Sequence, residues 1–300
     1  ESPDVNTIYS IPLILFKQNF DSIILKTLGL KKAGRHKNIK LLEKFIYRYY
    51  NPKGTVNIAI CGKYNGLHDA YKSILEALIH AGVDNFVKVE VKWINTEKLE
   101  ETNNLAKYFE GIDGIIIPGG FGNRGIEGKI LASKFARENS IPFLGICLGL
   151  QCAVIDYARH QCNLTNANST EFKPHAKYPV IDLMLKQKNI IEKGASMRLG
   201  SFPCSITSGT KAKKAYKKTK IYERHRHRYE VNNKFVDQLI NAGLIISGKN
   251  NELNLVEMIE LKNHPWFVGV QFHPELKSRI VKTHPLFRDF ISATISYNAE

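Results

Sequence analysis

The 300-residue chain contains no apolar run approaching the roughly 20 residues that a membrane-spanning helix needs. Its first residues, Glu1-Ser2-Pro3-Asp4, lack the basic and apolar pattern of a secretory signal. No Gly-x4-Gly-Lys-Ser/Thr segment occurs, so the phosphate cradle of P-loop nucleotide-binding proteins is missing. Cysteine is scarce, with five residues at Cys61, Cys147, Cys152, Cys162 and Cys204. An odd count without small-domain spacing argues against a disulfide framework and for a reducing compartment. Cys147 and Cys152 are not at zinc-knuckle spacing, and no second pair completes a metal site. No internal repeat is present. These absences leave a cytoplasmic protein with no resident metal as the expectation.

Hydrophobic residues at 43% and charged residues at 24% suit a globular chain with a sizeable core. The formal net charge of +15 invites a nucleic-acid reading. The basic residues are dispersed apart from three clusters: Lys31-Lys32 to Lys44, Lys211 to Lys220, and Arg224-His225-Arg226-His227-Arg228. None is interleaved with a recognisable nucleic-acid fold. The first two read as solvated surface, and the third suits an anionic small molecule better. Neither nucleic acid nor membrane is expected as a partner.

Residues 1 to 53 differ from the rest. Phe20, Ile23, Ile24, Leu28 and Leu30 recur at helical spacing after the apolar stretch Ile11 to Phe16, and a second helical pattern runs from Ile39 to Tyr49. Two short helices cannot enclose a core, so this stretch reads as a linker or the tail of another domain. From residue 54 to 300 the pattern becomes alternating strand and helix. Strands are expected at Val56 to Cys61, Phe86 to Ile94, Ile112 to Ile117 and Ile141 to Ile146. The helices between them are His68 to Ala81, ending at Gly82, and Glu127 to Glu138, with a third running on through Ala158. This order predicts an α/β fold with a doubly wound, mainly parallel central sheet, whose ligands sit at the carboxyl ends of the strands. Residues 163 to 220 read as scattered short strands with a mobile lysine-rich loop at 205 to 220. Further strands are expected at Leu244 to Ser247, Leu253 to Glu260 and Trp266 to Gln271, then a terminal helix from Pro285 to Tyr297.

The segment Gly145-Ile146-Cys147-Leu148-Gly149 has the chemistry-bearing pattern. Gly-x-Cys-x-Gly between a strand and a helix is the cysteine analogue of a nucleophile elbow. Flanking glycines relieve crowding in the sharp turn, and the helix N-terminus favours thiolate. A buried cysteine in an ordinary tight turn fits the same five residues. A thiol nucleophile needs a base and a group to orient that base. His273 and Glu275, at the end of the strand Phe267 to Phe272, supply both types two residues apart, where strand alternation would put them on one side. Alone, His-x-Glu equally describes a surface pair. Pro118-Gly119-Gly120-Phe121-Gly122, following the strand Ile115 to Ile117, offers side-chain-free backbone for an oxyanion; a plain glycine turn has the same composition.

Together these segments resemble the class I (triad) glutamine amidotransferases. The likeness sharpens to the CTP synthase branch through Ser10-Ile11-Pro12-Leu13, Gly62-Lys63-Tyr64, Gly119 to Gly125, Met197-Arg198-Leu199-Gly200, Glu223 to Asn232 and Phe272-His273-Pro274-Glu275. It covers nearly the whole chain, and the Arg-His-Arg-His-Arg string is its most specific part. The resemblance implies Cys147, His273 and Glu275 as a triad, with Gly120 and Leu148 as the oxyanion hole. It implies Gly120, Leu148, Gly149, Leu150, Gln151, Glu171 and Arg228 around L-glutamine, and Lys63, Phe121 and Arg228 around a GTP effector. It also implies no cofactor in this domain. The released ammonia would pass to the enzyme's own synthetase domain, absent here, where ATP and Mg serve the conversion of UTP to CTP in a homotetramer. Residues 1 to 53 would then be the linker from that domain. Ser278-Arg279-Ile280 departs from the family's usual Ser-Arg-Pro. A cysteine hydrolase of another pathway and an inactive regulatory or assembly module are the alternatives.

Overall fold

Among the described residues three α-helices precede the first strand: α1 (Ile11–Lys17), α2 (Phe20–Thr27) and α3 (Lys37–Tyr50). In this computed structural model the described residues are 4–31, 37–63, 71–183 and 197–299. The first of the two expected helical stretches is split at Asn19, whose φ of 54° a right-handed helix cannot accommodate. The glycine expected to punctuate at position 34 lies outside the described residues. Leu42 and Phe45 of α3 are buried, with Phe45 edge-on to Tyr9 at 5.1 Å and to His80 at 6.1 Å.

The β-branched run after residue 54 forms β1 (Gly54–Gly62), followed by α4 (Lys72–Asp84), β2 (Val87–Asn95), α5 (Thr96–Glu100), α6 (Ala106–Phe109) and β3 (Gly114–Ile117). Then come α7 (Ile126–Glu138), β4 (Phe143–Ile146) and α8 (Leu148–Gln161). The first part of the helix expected at His68 to Ala81 lies outside the described residues, and α4 runs on past Gly82 to Asp84. Gly82 serves close packing instead of capping: a Cβ there would sit 2.7 Å from the Val87 carbonyl oxygen.

The second half contributes β5 (Ala167–Ser169), β6 (Tyr178–Leu183), β7 (Arg198–Ile206), α9 (Lys211–Tyr216), β8 (Lys220–His227) and β9 (Tyr229–Val231). The chain ends with α10 (Val236–Asn241), β10 (Leu244–Asn250), β11 (Leu255–Leu261), β12 (Phe267–Val270) and α11 (Pro285–Asn298). The lysine-rich segment expected to be a mobile loop contains α9. Thr210 caps it by accepting from Lys213 N–H, Glu260 accepts the backbone N–H groups of Lys211 and Ala212 at 2.9 and 3.2 Å, and Ala212 and Ala215 are buried. A carboxylate at the helix N-terminus and two alanines on one face outweigh the repulsion among its lysines.

One nine-stranded sheet has the order β2-β1-β3-β4-β12-β11-β10-β7-β8. The pairs from β2 to β12 are parallel, and those from β12 to β8 antiparallel. The doubly wound arrangement therefore holds for the first half of the sheet, with an antiparallel extension beyond it. Apolar cores fill both faces, one against α7 and α8, the other against α4 and α11. A second sheet, β5-β6-β9, stands beside the first. Among the described residues no helix is long and apolar enough to cross a membrane.

Candidate active site

Cys147 leaves the carboxyl end of β4 and immediately precedes α8, and its φ is 53°. A side chain in that region is strained by about 1–3 kcal/mol, and such strain persists only where the surroundings impose it. They do so here. A Cβ on Gly145 would lie 2.8 Å from the Gly149 backbone, one on Gly149 would lie 2.2 Å from the Ile117 carbonyl oxygen, and Cys147 N–H donates to the Val270 carbonyl at 2.7 Å. The two glycines therefore close a turn that no other residue pair fits.

Register brings the histidine alongside. β12 pairs in parallel with β4, Val270 opposite Ile146, so both chains leave their strands at the same edge. His273 N–H donates to the Arg224 carbonyl at 2.8 Å, and its Nδ1 lies 2.7 Å from Glu275 Oε1. Nδ1–H donates to the carboxylate, which leaves Nε2 buried and without a hydrogen-bond partner. The expected strand alternation is not what joins the pair. β12 stops at Val270, and Pro274 begins a 3-10 turn, Pro274–Lys277, that folds Glu275 back onto the ring. Burial pulls the His273 imidazole down, but the Cys147 sulfur and the Glu275 carboxylate outweigh it and hold it up at about 10. The other thiols are shifted the opposite way from an activated nucleophile. Burial pushes Cys152 up to about 12 and raises Cys61, Cys204 and Cys162.

The third strand end is that of β3, on the other side of β4, with Ile117 opposite Gly145. It delivers Gly119 and Gly120. A Cβ on Gly119 would meet His273 Cε1 at 2.8 Å, so only glycine lets this backbone pass the imidazole. Two cavities open around the sulfur. One is bounded by Pro118, Gly119, Cys147, Arg226, His273 and Glu275, the other by Gly120, Cys147, Gln151, Glu171, Arg228 and Tyr229. The second is walled by both sheets, because Gly120 and Cys147 follow β3 and β4 of the first, while Glu171 follows β5 and Tyr229 opens β9 of the second.

That cavity carries opposite charges. Glu171 accepts from Gly122 N–H at 3.2 Å, and burial raises its carboxyl while Gly122, Arg228, Lys63 and Lys129 pull it back. Arg228 Nε is buried and has no hydrogen-bond partner. A free amino acid, with an ammonium and a carboxylate, complements such a pair. Gln151 donates to the Tyr229 carbonyl at 3.0 Å and to Gln271 Oε1 at 3.3 Å.

Leu148, Gly149 and Leu150 form the first turn of α8, where helix N–H groups lack intrahelical partners, and the Leu148 and Leu150 side chains both pack into the core. None of Leu148, Gly149 and Leu150 lines the two cavities. Lys63 donates its ammonium to the Phe121 carbonyl at the rim, with the Phe121 ring exposed above. Arg228 lines the second cavity together with Phe121. Sequence reasoning missed Gln271, whose amide lies 3.7 Å from Cys147 Sγ, and Tyr229, which walls the second cavity beside His227 of the basic cluster expected to suit an anionic small molecule. For Gln271 the available signal was its place two residues before His273, and for Tyr229 its place in the Glu223 to Asn232 segment.

Comparison with known proteins agrees with this geometry. Residues 67–293 match the family model "Glutamine amidotransferase class-I". The chain belongs to that family. It is 51% identical over 296 residues to a CTP synthase of Caldanaerobacter subterraneus, covering 99% of this chain and 55% of that protein. It is 53% identical over 292 residues to a CTP synthase of Chlorobaculum parvum, covering 97% and 52%. The chain thus spans about half the length of these curated relatives. Among solved structures it is similar to the glutaminase domain of a Trypanosoma brucei CTPS with bound acivicin, at 36% identity and a TM-score of 0.76, covering 80% of this chain and 94% of that one. Its likeness within the amidotransferase family is to the glutaminase domains of CTP synthases.

Proposed function

We propose that this chain hydrolyses L-glutamine to glutamate and ammonia through a cysteinyl thioester. The observation that carries the reading is the meeting of Cys147 and His273 at the ends of adjacent parallel strands, with the His273 ring fixed by Glu275. Glu171 holds the α-ammonium of glutamine and Arg228 its α-carboxylate, which leaves the side-chain amide over the sulfur. The thiolate attacks the amide carbon, and the backbone N–H groups of Gly120 and Leu148 receive the oxyanion. The His273 imidazolium protonates the departing ammonia. The neutral imidazole then takes a proton from water, whose oxygen attacks the thioester carbon; glutamate leaves and the thiol is restored. Glu275 keeps the ring in the Nδ1–H tautomer throughout.

In the whole enzyme the ammonia would serve a synthetase domain that uses ATP and Mg to convert UTP to CTP; the relatives' name, CTP synthase, and the roughly half of their length beyond this chain support a further synthesising part. The exposed Phe121 ring and the Lys63 cation suit a purine and its phosphates, which makes GTP the expected effector, with Arg228 engaged by the glutamine carboxylate. A cytoplasmic homotetramer completes this reading.

The test is glutamate release from L-glutamine by the wild-type chain and by Cys147→Ala. Release by the wild type alone supports the proposal, and equal release by both sinks it.

A further inference from the structure

The 3-10 turn Pro274–Lys277 that folds Glu275 onto His273 is closed by Ser278, which is 4% exposed. Ser278 Oγ accepts the His284 backbone N–H at 3.3 Å and lies 2.9 Å from Nδ1 of His80, on α4. The other ring nitrogen of His80, Nε2, lies 2.9 Å from the Tyr9 hydroxyl, which donates to Glu76 Oε2. The Thr283 hydroxyl donates to the His80 carbonyl at 3.3 Å, so both ends of the stretch 278–283 are tied to this one histidine.

The hydrogens follow from the partners. Glu76 Oε1 pairs with the Lys72 ammonium at 3.0 Å. Burial alone would raise the Glu76 carboxyl, but Tyr9 and Lys72 pull it below its ordinary value, so it is ionised and only accepts. Tyr9 has one hydroxyl hydrogen and gives it to Glu76. His80 Nε2 must then carry a hydrogen and donate to the Tyr9 oxygen. The ring is 5% exposed and neutral: burial pushes it down to about 4, with Arg279 adding to the fall and Glu76 and Asp84 opposing it. A neutral ring with its hydrogen on Nε2 can only accept at Nδ1, so the Ser278 hydroxyl donates there.

We propose that His80 is a positioning residue for glutamine hydrolysis, fixing the end of the turn that carries Glu275 by receiving the Ser278 hydroxyl at Nδ1. His80 lines neither cavity around the sulfur, so it acts only through that turn. Lys277 and Arg279 also brace the turn, donating to the Tyr222 carbonyl and to the Leu276 and Ser278 carbonyls, but both are exposed. The contact between Ser278 and His80 is the buried one. Without it the turn loosens and Glu275 leaves the His273 ring, a small displacement with a large effect on rate. The inference rests on reading Cys147, His273 and Glu275 as the triad of this reaction.

Two variants of His80 separate positioning from the filling of space. An asparagine amide reaches where Nδ1 stands, and a glutamine amide where Nε2 stands. His80→Asn therefore keeps an acceptor for Ser278 and gives up Tyr9, whereas His80→Gln does the reverse. Steady-state glutamate release by the 300-residue chain is the readout, with thermal melts alongside. His80→Asn is expected to hold kcat within about three-fold of the wild type. His80→Gln and Ser278→Ala are each expected to lower kcat about ten-fold or more, with KM for glutamine within about two-fold. A side chain that only fills the core would make the smaller asparagine the worse of the two. Equal or greater loss of kcat in His80→Asn than in His80→Gln, or an unchanged kcat in Ser278→Ala, overturns the proposal. Should the wild type release no glutamate, the reading of the triad itself fails, which is a different result.

Discussion

His273 Nδ1 lies 2.7 Å from Glu275 Oε1, while the opposite ring nitrogen is buried and has no hydrogen-bond partner. The carboxylate therefore selects the tautomer and leaves Nε2 for the thiol and the leaving group. Glu275→Gln keeps the shape and loses the charge, and glutamate release should fall by about 10²–10⁴-fold. Initial rates of glutamate formation check this; a loss below two-fold would remove Glu275 from the account.

The Cys147 sulfur and the Glu275 carboxylate together make the contribution of His273 to stability depend on pH. His273 is raised from its ordinary value to about 10, so its contribution is complete below about pH 6.5 and disappears as pH rises through 10. The stability margin of wild type over Glu275→Gln should shrink between those limits. Urea midpoints across that range measure it, and a margin that widens with pH contradicts the assignment.

The glycines of the site separate two kinds of damage. An alanine at Gly119 would press on the His273 ring at 2.8 Å, a side chain that can move, so activity should drop at least about 100-fold with a stability loss of about 1 kcal/mol. An alanine at Gly149 would press on the Ile117 backbone at 2.2 Å, which cannot move, and should cost about 3 kcal/mol or more. Thermal melts and rates on both variants distinguish them, and the reverse pattern would mean the elbow is not held as described.

Much of the site was legible because its chemistry is local in sequence. The elbow spans Gly145 to Gly149 and the base pair spans His273 to Glu275. What could not be read was how one meets the other. That depends on β12 pairing with β4, although 120 residues of chain separate the end of β4 from the start of β12. Gln271 and Tyr229 reach the sulfur and its pocket only through that pairing and through the second sheet. The lysine-rich segment was misread for a related reason. Its helix is fixed by Glu260, a carboxylate on β11 far along the chain.

That helix yields its own check. Ala215 is 3% exposed, so Ala215→Glu should destabilise by about 2–4 kcal/mol, while Lys214→Ala on the exposed face should stay within about 0.5 kcal/mol. Chemical denaturation of both variants would reveal a mobile loop as two neutral substitutions.

The pocket charges predict a binding defect. Removing one partner of a charge-assisted contact to the substrate costs about 1.5–3 kcal/mol, so Arg228→Met and Glu171→Gln should each raise KM for glutamine about 10–150-fold. Steady-state kinetics check this, and an unchanged KM in both would place the amino acid elsewhere.

The most direct test of the central claim is mass spectrometry of the folded chain after treatment with an electrophilic glutamine analogue, with and without excess glutamine. The account requires a single modification, at Cys147, that glutamine blocks. An untouched Cys147, or one modified equally in the presence of glutamine, would contradict it.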